Sequence, residues 1–317
     1  MTSAPFRPLL IKELREVVSG RALWIMGLLA SPLIGYGFVQ AVSLYGESSR
    51  AALQSPALAT SLSPLDGVLV PTFGALYVAV TLLFPFVAIR VLAQEKETGA
   101  LRMLVQLPYR TAHLVLAKFL AVLGAWVLAS IPALSAIALW VALGGHLAPA
   151  ETLNLLFGHL LYGALVGAIA LFAAAIAESG ATAAIIALAF TIGSWVLDFT
   201  IAGRTGWLAW IAHLSLTQTL QTFEQGLFTA DLVLGMSATI CGFAVLAGIW
   251  LRPGVPIWVR FLRAAACVVA TSIAVGLAAQ LPWSVDLTED RRNSFPTADQ
   301  RQLATMSLPL VVTAHFA

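Results

Sequence analysis

"QEKETGALRMLVQLPYR", residues 94–110, sets Glu95, Lys96, Glu97, Arg102 and Arg110 between two long apolar runs, with Pro108 near its end. The surroundings make this segment unusual: the chain is 60% hydrophobic and 10% charged, with a mean hydropathy of +0.91. Soluble domains carry about a quarter of their residues charged. A bilayer core about 30 Å thick takes roughly 20 apolar residues per helical crossing, and runs of that length recur along the 317 residues. The chain reads as an all-α polytopic membrane protein, since helices satisfy their own backbone groups in lipid. The charged break then faces water or a partner.

Working outward, the apolar runs predict spans over 22–45, 67–92, 114–143, 153–177, 181–202, 232–251 and 264–281. Seven crossings put the termini on opposite sides. With a cytoplasmic N-terminus, the inner segments hold Arg7, Lys12, Arg15, Arg21, Arg90, Lys96, Arg102, Arg110, Lys118, Arg252, Arg260 and Arg263. Arg50, Arg204, Arg291, Arg292 and Arg301 fall outside, so the positive-inside rule selects this orientation. Trp24, Trp250 and Trp258 would lie near the inner interface, and Trp140, Trp207, Trp210 and Trp283 near the outer one. Residues 94–110 are then cytoplasmic. They predict a short helix capped by Thr98, with a body of Leu101, Met103, Leu104, Val105 and Leu107, stopped by Pro108. Arg102 and Gln106 would face solvent or a partner, so a solvated connector and a docking element both fit.

Ahead of the first span, residues 1–21 place Leu10, Leu14, Val17 and Val18 on one helical stripe and Lys12, Glu13, Arg15 and Glu16 on the other. This predicts an amphipathic helix in the interface. It is not expected to be a cleaved signal, since the apolar run that follows exceeds the length of an h-region. Residues 203–231 are amphipathic and too polar for a span; short helices dipping into the outer leaflet are expected. From 282 the chain turns polar, with a capping box at Thr297 and Gln300 and a strand-like "LPLVVTAHF", residues 308–316. A lone strand is unstable, so this reads as the start of an outer domain.

The chemistry is sparse. No GxxxxGK[ST] occurs, so no phosphate-cradling loop is expected and any energy must come from a partner. His113, His146, His159, His213 and His315 have no ligand spacing, and Cys241 and Cys267 sit in apolar runs as small core residues, so no metal site is expected. Ser194 lies in "TIGSW" without the Gly-x-Ser-x-Gly turn of a nucleophile. A net charge of +2 with no basic cluster argues against nucleic acid. Of the ionisable groups in spans, Asp198 is the main candidate for lining a pathway, or else it reaches headgroups or Arg204. His159 and Tyr162, one turn apart, line an interior or bond a neighbouring helix. Glu178 sits in a tight turn, and Gly163 and Gly167 form a GxxxG that permits close helix approach.

Residues 94–121, "QEKETGALRMLVQLPYRTAHLVLAKFLA", resemble the segment between spans two and three in permeases of type 2 ABC transporters, with Glu95, Lys96, Gly99, Leu101, Leu104, Pro108, Leu114, Lys118 and Phe119 matching. The stretch before span six is similar to the outer helices of the gliding-motility and copper-nitrous-oxide-maturation branch, with Gly226 and Asp231 in register. Residues 285–317 resemble the opening of the gliding-motility auxiliary domain through Asp286, Leu287, Thr288, Arg292 and Pro309, while Phe295 and Pro296 replace its usual Leu-Ser.

The resemblance implies a six-span permease domain over 22–251, outer re-entrant-like helices at about 204–230, a linker and seventh span over 252–281, and a periplasmic tail over 282–317. It implies that about 95–108 is a coupling helix docking on a separate ATPase through Glu95, Lys96, Glu97, Thr98, Gly99, Leu101, Arg102, Leu104, Leu107, Pro108 and Arg110. ATP and magnesium would be bound by that partner and no cofactor by this chain, which is not itself expected to be an enzyme. A second permease copy, a periplasmic auxiliary subunit, a bacterial inner-membrane location and an export function also follow from it. The alternative is a mechanical or scaffold subunit acting on the envelope.

Overall fold

The structure, a computed structural model, describes residues 6–54, 62–107, 109–201, 216–295, 299–301 and 305, with backbone alone at 197–201 and 216–219. Helix α1, Phe6–Ser19, turns at Gly20 into α2, Arg21–Ala52. A π-helical turn, Leu65–Leu69, leads into α3, Val70–Leu82, and α4, Phe84–Glu97. The short α5, Ala100–Gln106, precedes α6, Thr111–Ala129, and α7, Ile131–Ala142. Then come α8, Pro149–Ile176, α9, Gly180–Ile201, and α10, Leu216–Glu224. Strand β1, Leu227–Thr229, precedes α11, Ala230–Leu251, α12, Ile257–Ala278, and β2, Ser284–Asp286.

Among the described residues, six helical stretches are long and apolar enough to cross a bilayer, and α9 is a shorter apolar helix. The predicted span positions are found as helices, but two are broken where proline intervenes. Pro85 lacks an N–H, so the Thr81 carbonyl four residues earlier loses its helical partner; Thr191 of α9 donates its hydroxyl there at 3.3 Å. Pro132 follows the corresponding break at Ser130 between α6 and α7. The last helix starts at Ile257 rather than 264, because Arg260 and Arg263 are accommodated in it; long basic side chains keep their heads at the interface while their stems run along the helix.

α8 is the most buried of the long helices and α12 the least. α8 is the hub, contacting α4, α6, α9, α10 and α11. On its α6-facing side Gly163 lies against Trp126 and Gly167 against Val122, so the GxxxG seats α6 side chains against the α8 backbone.

At one end of the bundle lie α1, α5 and the α8–α9 turn; at the other lie α10, the α7–α8 loop and a two-stranded ribbon that periodicity did not reveal. β1 and β2 are antiparallel, with Leu227 opposite Asp286 and Thr229 opposite Ser284. Three-residue strands carry too little alternation to read, and here they join residues almost 60 apart in the chain. Of the expected outer helices at 204–230, α10 is described, while 202–215, Thr297 and the strand-like 308–316 lie outside the described residues.

The polar segment after β2 is fastened to the body. Arg292 Nη1 lies 2.5 Å from Asp66 Oδ2, Arg292 Nη2 3.7 Å from Glu151 Oε2, and His146 Nε2 2.8 Å from Glu289 Oε1. Asp286 organises the loop, accepting from Thr288 N (3.1 Å), Thr288 Oγ1 (2.6 Å), Asn293 N (2.9 Å) and Ser294 Oγ (2.9 Å). Burial pushes its carboxyl up, but these four donors outweigh burial and hold it below the ordinary aspartate range. A depressed folded-state value stabilises the loop above the unfolded value of about 3.9 and loses that contribution as pH falls through the folded one. The exchange protection of the Thr288 and Asn293 amides, corrected for intrinsic rates, should therefore drop between about pH 5 and pH 3. Asp286→Asn should be low and flat; a wild-type profile equally flat would contradict the assignment.

Candidate coupling face

The charged triplet Glu95-Lys96-Glu97 ends α4, and each of its residues grips a different helix. Glu95 is buried and points at α6, where Lys118 Nζ stands 2.6 Å from its Oε2. Lys96 Nζ donates to the carbonyls of Ala174 (2.6 Å), Ala175 (2.6 Å) and Ala177 (3.0 Å), filling the unpaired acceptors at the C-terminal end of α8. Glu97 Oε1 accepts from the Gly180 N–H at 3.4 Å, where α9 begins and a negative group is favoured. Neighbouring residues of opposite sign thus engage opposite helix ends across one turn.

Lys118 is 1% exposed, and stripping an ammonium of water costs several kcal/mol unless its donors are met. Its three N–H groups have three acceptors around them: Glu13 Oε2 at 3.0 Å, the Val91 carbonyl at 2.9 Å and Glu95. The Glu95 contact is ionic, off the line of an N–H bond. Lys12 extends the network, in contact with Glu95, 3.2 Å from Glu13 and 3.1 Å from Glu16. Burial alone would lower Lys12, but hydrogen bonding to Glu95 and the charge of Glu13 raise it above the ordinary lysine range. Burial pushes the Glu13 carboxyl up against the opposing Lys118 charge. Glu13, Glu16 and Glu95 would by type suit a divalent ion, but Lys12 and Lys118 already stand among them as counter-charges.

Two expectations need correction here. The helical period sets Glu13 on the polar stripe of α1, yet it is fully buried, because α1 lies on α6 and α4 and meets Lys118 there. Leu9 joins Leu114 and Ala117 in the same contact. Thr98 does not cap the short helix: its hydroxyl donates back to Gln94 O at 2.9 Å, closing α4. Gly99, at φ 77°, makes the turn, and α5 starts after it. A left-handed φ one residue past a helix end is glycine's usual place.

α5 itself has no buried residue. Arg102, Met103, Gln106 and Leu107 are exposed, Met103 by 74%, while Leu101 and Val105 lean on Leu9 and Leu114. Leu104 is half-buried, Arg110 precedes α6 as its cap residue, and Pro108 lies outside the described residues.

The candidates for a pathway are elsewhere and are not brought together with this face. Tyr162 Oη is 2.7 Å from Thr81 Oγ1, a bond between neighbouring helices. His159 is buried, its ring 4.9 Å from Phe73 and its Nε2 3.6 Å from Glu224 Oε1. Asp198 lies on α9, with its side chain outside the described residues.

Comparison with known proteins decides the family. A family model described as ABC-2 family transporter protein matches residues 7–203, well over half of the chain. The chain belongs to this family. As a type 2 ABC permease it is a multi-pass membrane subunit, and membership implies an ABC ATPase as partner. The match spans α1 to α9 and so contains the whole ionic network and α5, whereas α10, the β-ribbon and α12 lie beyond it. No curated protein and no solved structure matches this permease.

The ionic network was not read from the sequence as a unit. One signal was available: Lys118 stands four residues into a predicted apolar span, and a lone cation there needs an acid.

Proposed function

We propose that this permease receives the stroke of its ATPase through α5 and exports an unidentified substrate across a bacterial inner membrane. The observation that carries the reading is the division of labour between α5 and the turn before it. α5 offers exposed Met103 and Leu107 beside Arg102, a surface suited to an apolar groove with an acidic rim. The residues just before it tie this surface to α1, α6, α8 and α9 at once. A displacement of α5 therefore moves several spans rather than a loop. In this reading the N-terminus is cytoplasmic and the C-terminus periplasmic, ATP and magnesium bind the partner, and a second permease copy completes the unit.

Within the family we assign the chain to the gliding-motility type, with α12 and the polar segment after it corresponding to the first span and opening of the auxiliary subunit. The clasp of Arg292 and Glu289 onto the body supports this, because it gives an outer domain a fixed base. The same clasp favours one second reading. Glu151 and Asn154, on the first turns of α8, hold the outer segment and the α10–β1 connection, while Lys96 holds the far end of the same helix. At 28 residues α8 is about 42 Å long, so a push on α5 could be delivered to the envelope without any substrate.

Replacing residues 100–107 by a Gly/Ser linker should abolish co-purification of the ATPase while leaving membrane insertion intact. Retained association would overturn the docking role of α5. Stimulation of the complex's ATP hydrolysis by a lipid or peptide substrate then distinguishes transport from the mechanical reading, which expects none.

A further inference from the structure

A groove of about 650 Å³ runs between α1, the start of α2, the end of α4 and α5. Its acidic residues are already engaged, Glu13 and Glu95 between Lys12 and Lys118, and Glu16 with Lys12. Its other two cations, Arg21 and Arg90, have neither a carboxylate nor a side-chain hydrogen bond among the described residues, and both are exposed. The groove therefore presents two guanidinium groups without an ion-pair partner among the described residues above a floor of Leu23, Val87 and Val91. Arg21 opens a membrane-length helix and Arg90 lies two turns before the end of another. Relative to the apolar runs 22–45 and 67–92, both stand at span ends, where the headgroup region of a bilayer is expected.

We propose that this groove is a binding site for the phosphate headgroup of an anionic phospholipid. Guanidinium forks pair with a phosphate bidentately and keep their charge at any working pH. The apolar floor suits the glycerol and first acyl carbons. The exposed face of α1 agrees: Arg7 and Arg15 flank Ile11 there, the composition of a helix resting on an anionic surface. An acidic segment of a protein partner has the same charge, but it would not need a floor at the level of the span ends. The site would place a lipid against α5 and the ionic network, where its occupancy bears on the same turn. The proposal does not rest on the ATPase reading.

The test uses the full chain in a neutral detergent. Short-chain phosphatidylglycerol should raise the unfolding midpoint by about 5 °C over the matching phosphatidylcholine. The variant Arg21→Gln/Arg90→Gln should erase that difference. Arg252→Gln/Arg263→Gln, which removes equal charge at the same end, should keep it. Equal loss in both variants would show general surface electrostatics and overturn the site. A full rise with glycerol phosphate alone would assign the groove to free phosphate and overturn the lipid. Unchanged lipid dependence with lost ATPase association in Arg21→Gln/Arg90→Gln would assign the arginines to a protein contact instead. Should that variant not fold, native mass spectrometry of the wild-type chain decides: one retained anionic lipid supports the site, and none overturns it.

Discussion

Lys118→Met should destabilise the protein by about 3–5 kcal/mol, the usual cost of leaving a buried charge unpaired. Removing the ammonium strands Glu13, which has no exposed surface, and Glu95, which has little, with only the peripheral Lys12 between them. The loss should appear as a lowered midpoint in detergent unfolding and as detachment of α1, read from faster proteolysis after Arg15. The informative companion is Glu13→Gln/Glu95→Gln/Lys118→Met, which removes both sides of the network and should recover most of the loss, because neutral groups of similar shape carry no uncompensated charge. A single variant as stable as wild type would mean that the network is solvated in the membrane-embedded protein. A triple variant as unstable as the single would point to lost packing of the lysine stem instead.

The second large effect concerns α8. A Cβ added at Gly163 would lie 2.1 Å from Trp126 Cδ1 and Nε1, and one at Gly167 2.7 Å from Val122 Cγ1. Trp126 is buried, so its ring must shift within a packed site or α6 and α8 must separate. Gly163→Ala should cost about 1–3 kcal/mol, the range for overpacking. Adding Trp126→Leu should return part of it, giving a coupling well outside additivity. Gly193→Ala is the control: nothing lies within 4 Å of its added Cβ, and alanine in a helix gains up to about 1 kcal/mol over glycine. If Gly163→Ala matched the control, the close approach of α6 and α8 would be refuted.

The helices were legible because lipid imposes one rule on every residue of a span: run lengths near 20 with charges at the ends are hard to read otherwise. Within the short segment after α4, the apolar body from Leu101 to Leu107 and the stop at Pro108 predict a separate helix, and α5 is there. Partners distant in the chain were not legible. Glu13 and Lys118 are 105 residues apart, and nothing in the period of α1 distinguishes a carboxylate that meets a lysine from one that meets water. Thr98 misled for a related reason. Threonine serves both at helix starts and in back-bonding to the preceding turn, and the choice is made by Gly99's positive φ rather than by threonine. The β-ribbon was hidden because its strands are shorter than the periodicity that would reveal them.

The 105-residue gap between Glu13 and Lys118 also orders events during synthesis. Glu13 leaves the ribosome first, Glu95 follows at the end of the second apolar run, and their shared counter-ion arrives only with the third. Until then α1 has only the half-exposed Lys12 beside its inward carboxylate, which favours a place at the water's edge. The N-terminal helix is thus made first and docked late, and the third span, on arrival, is what locks the beginning of the chain in place.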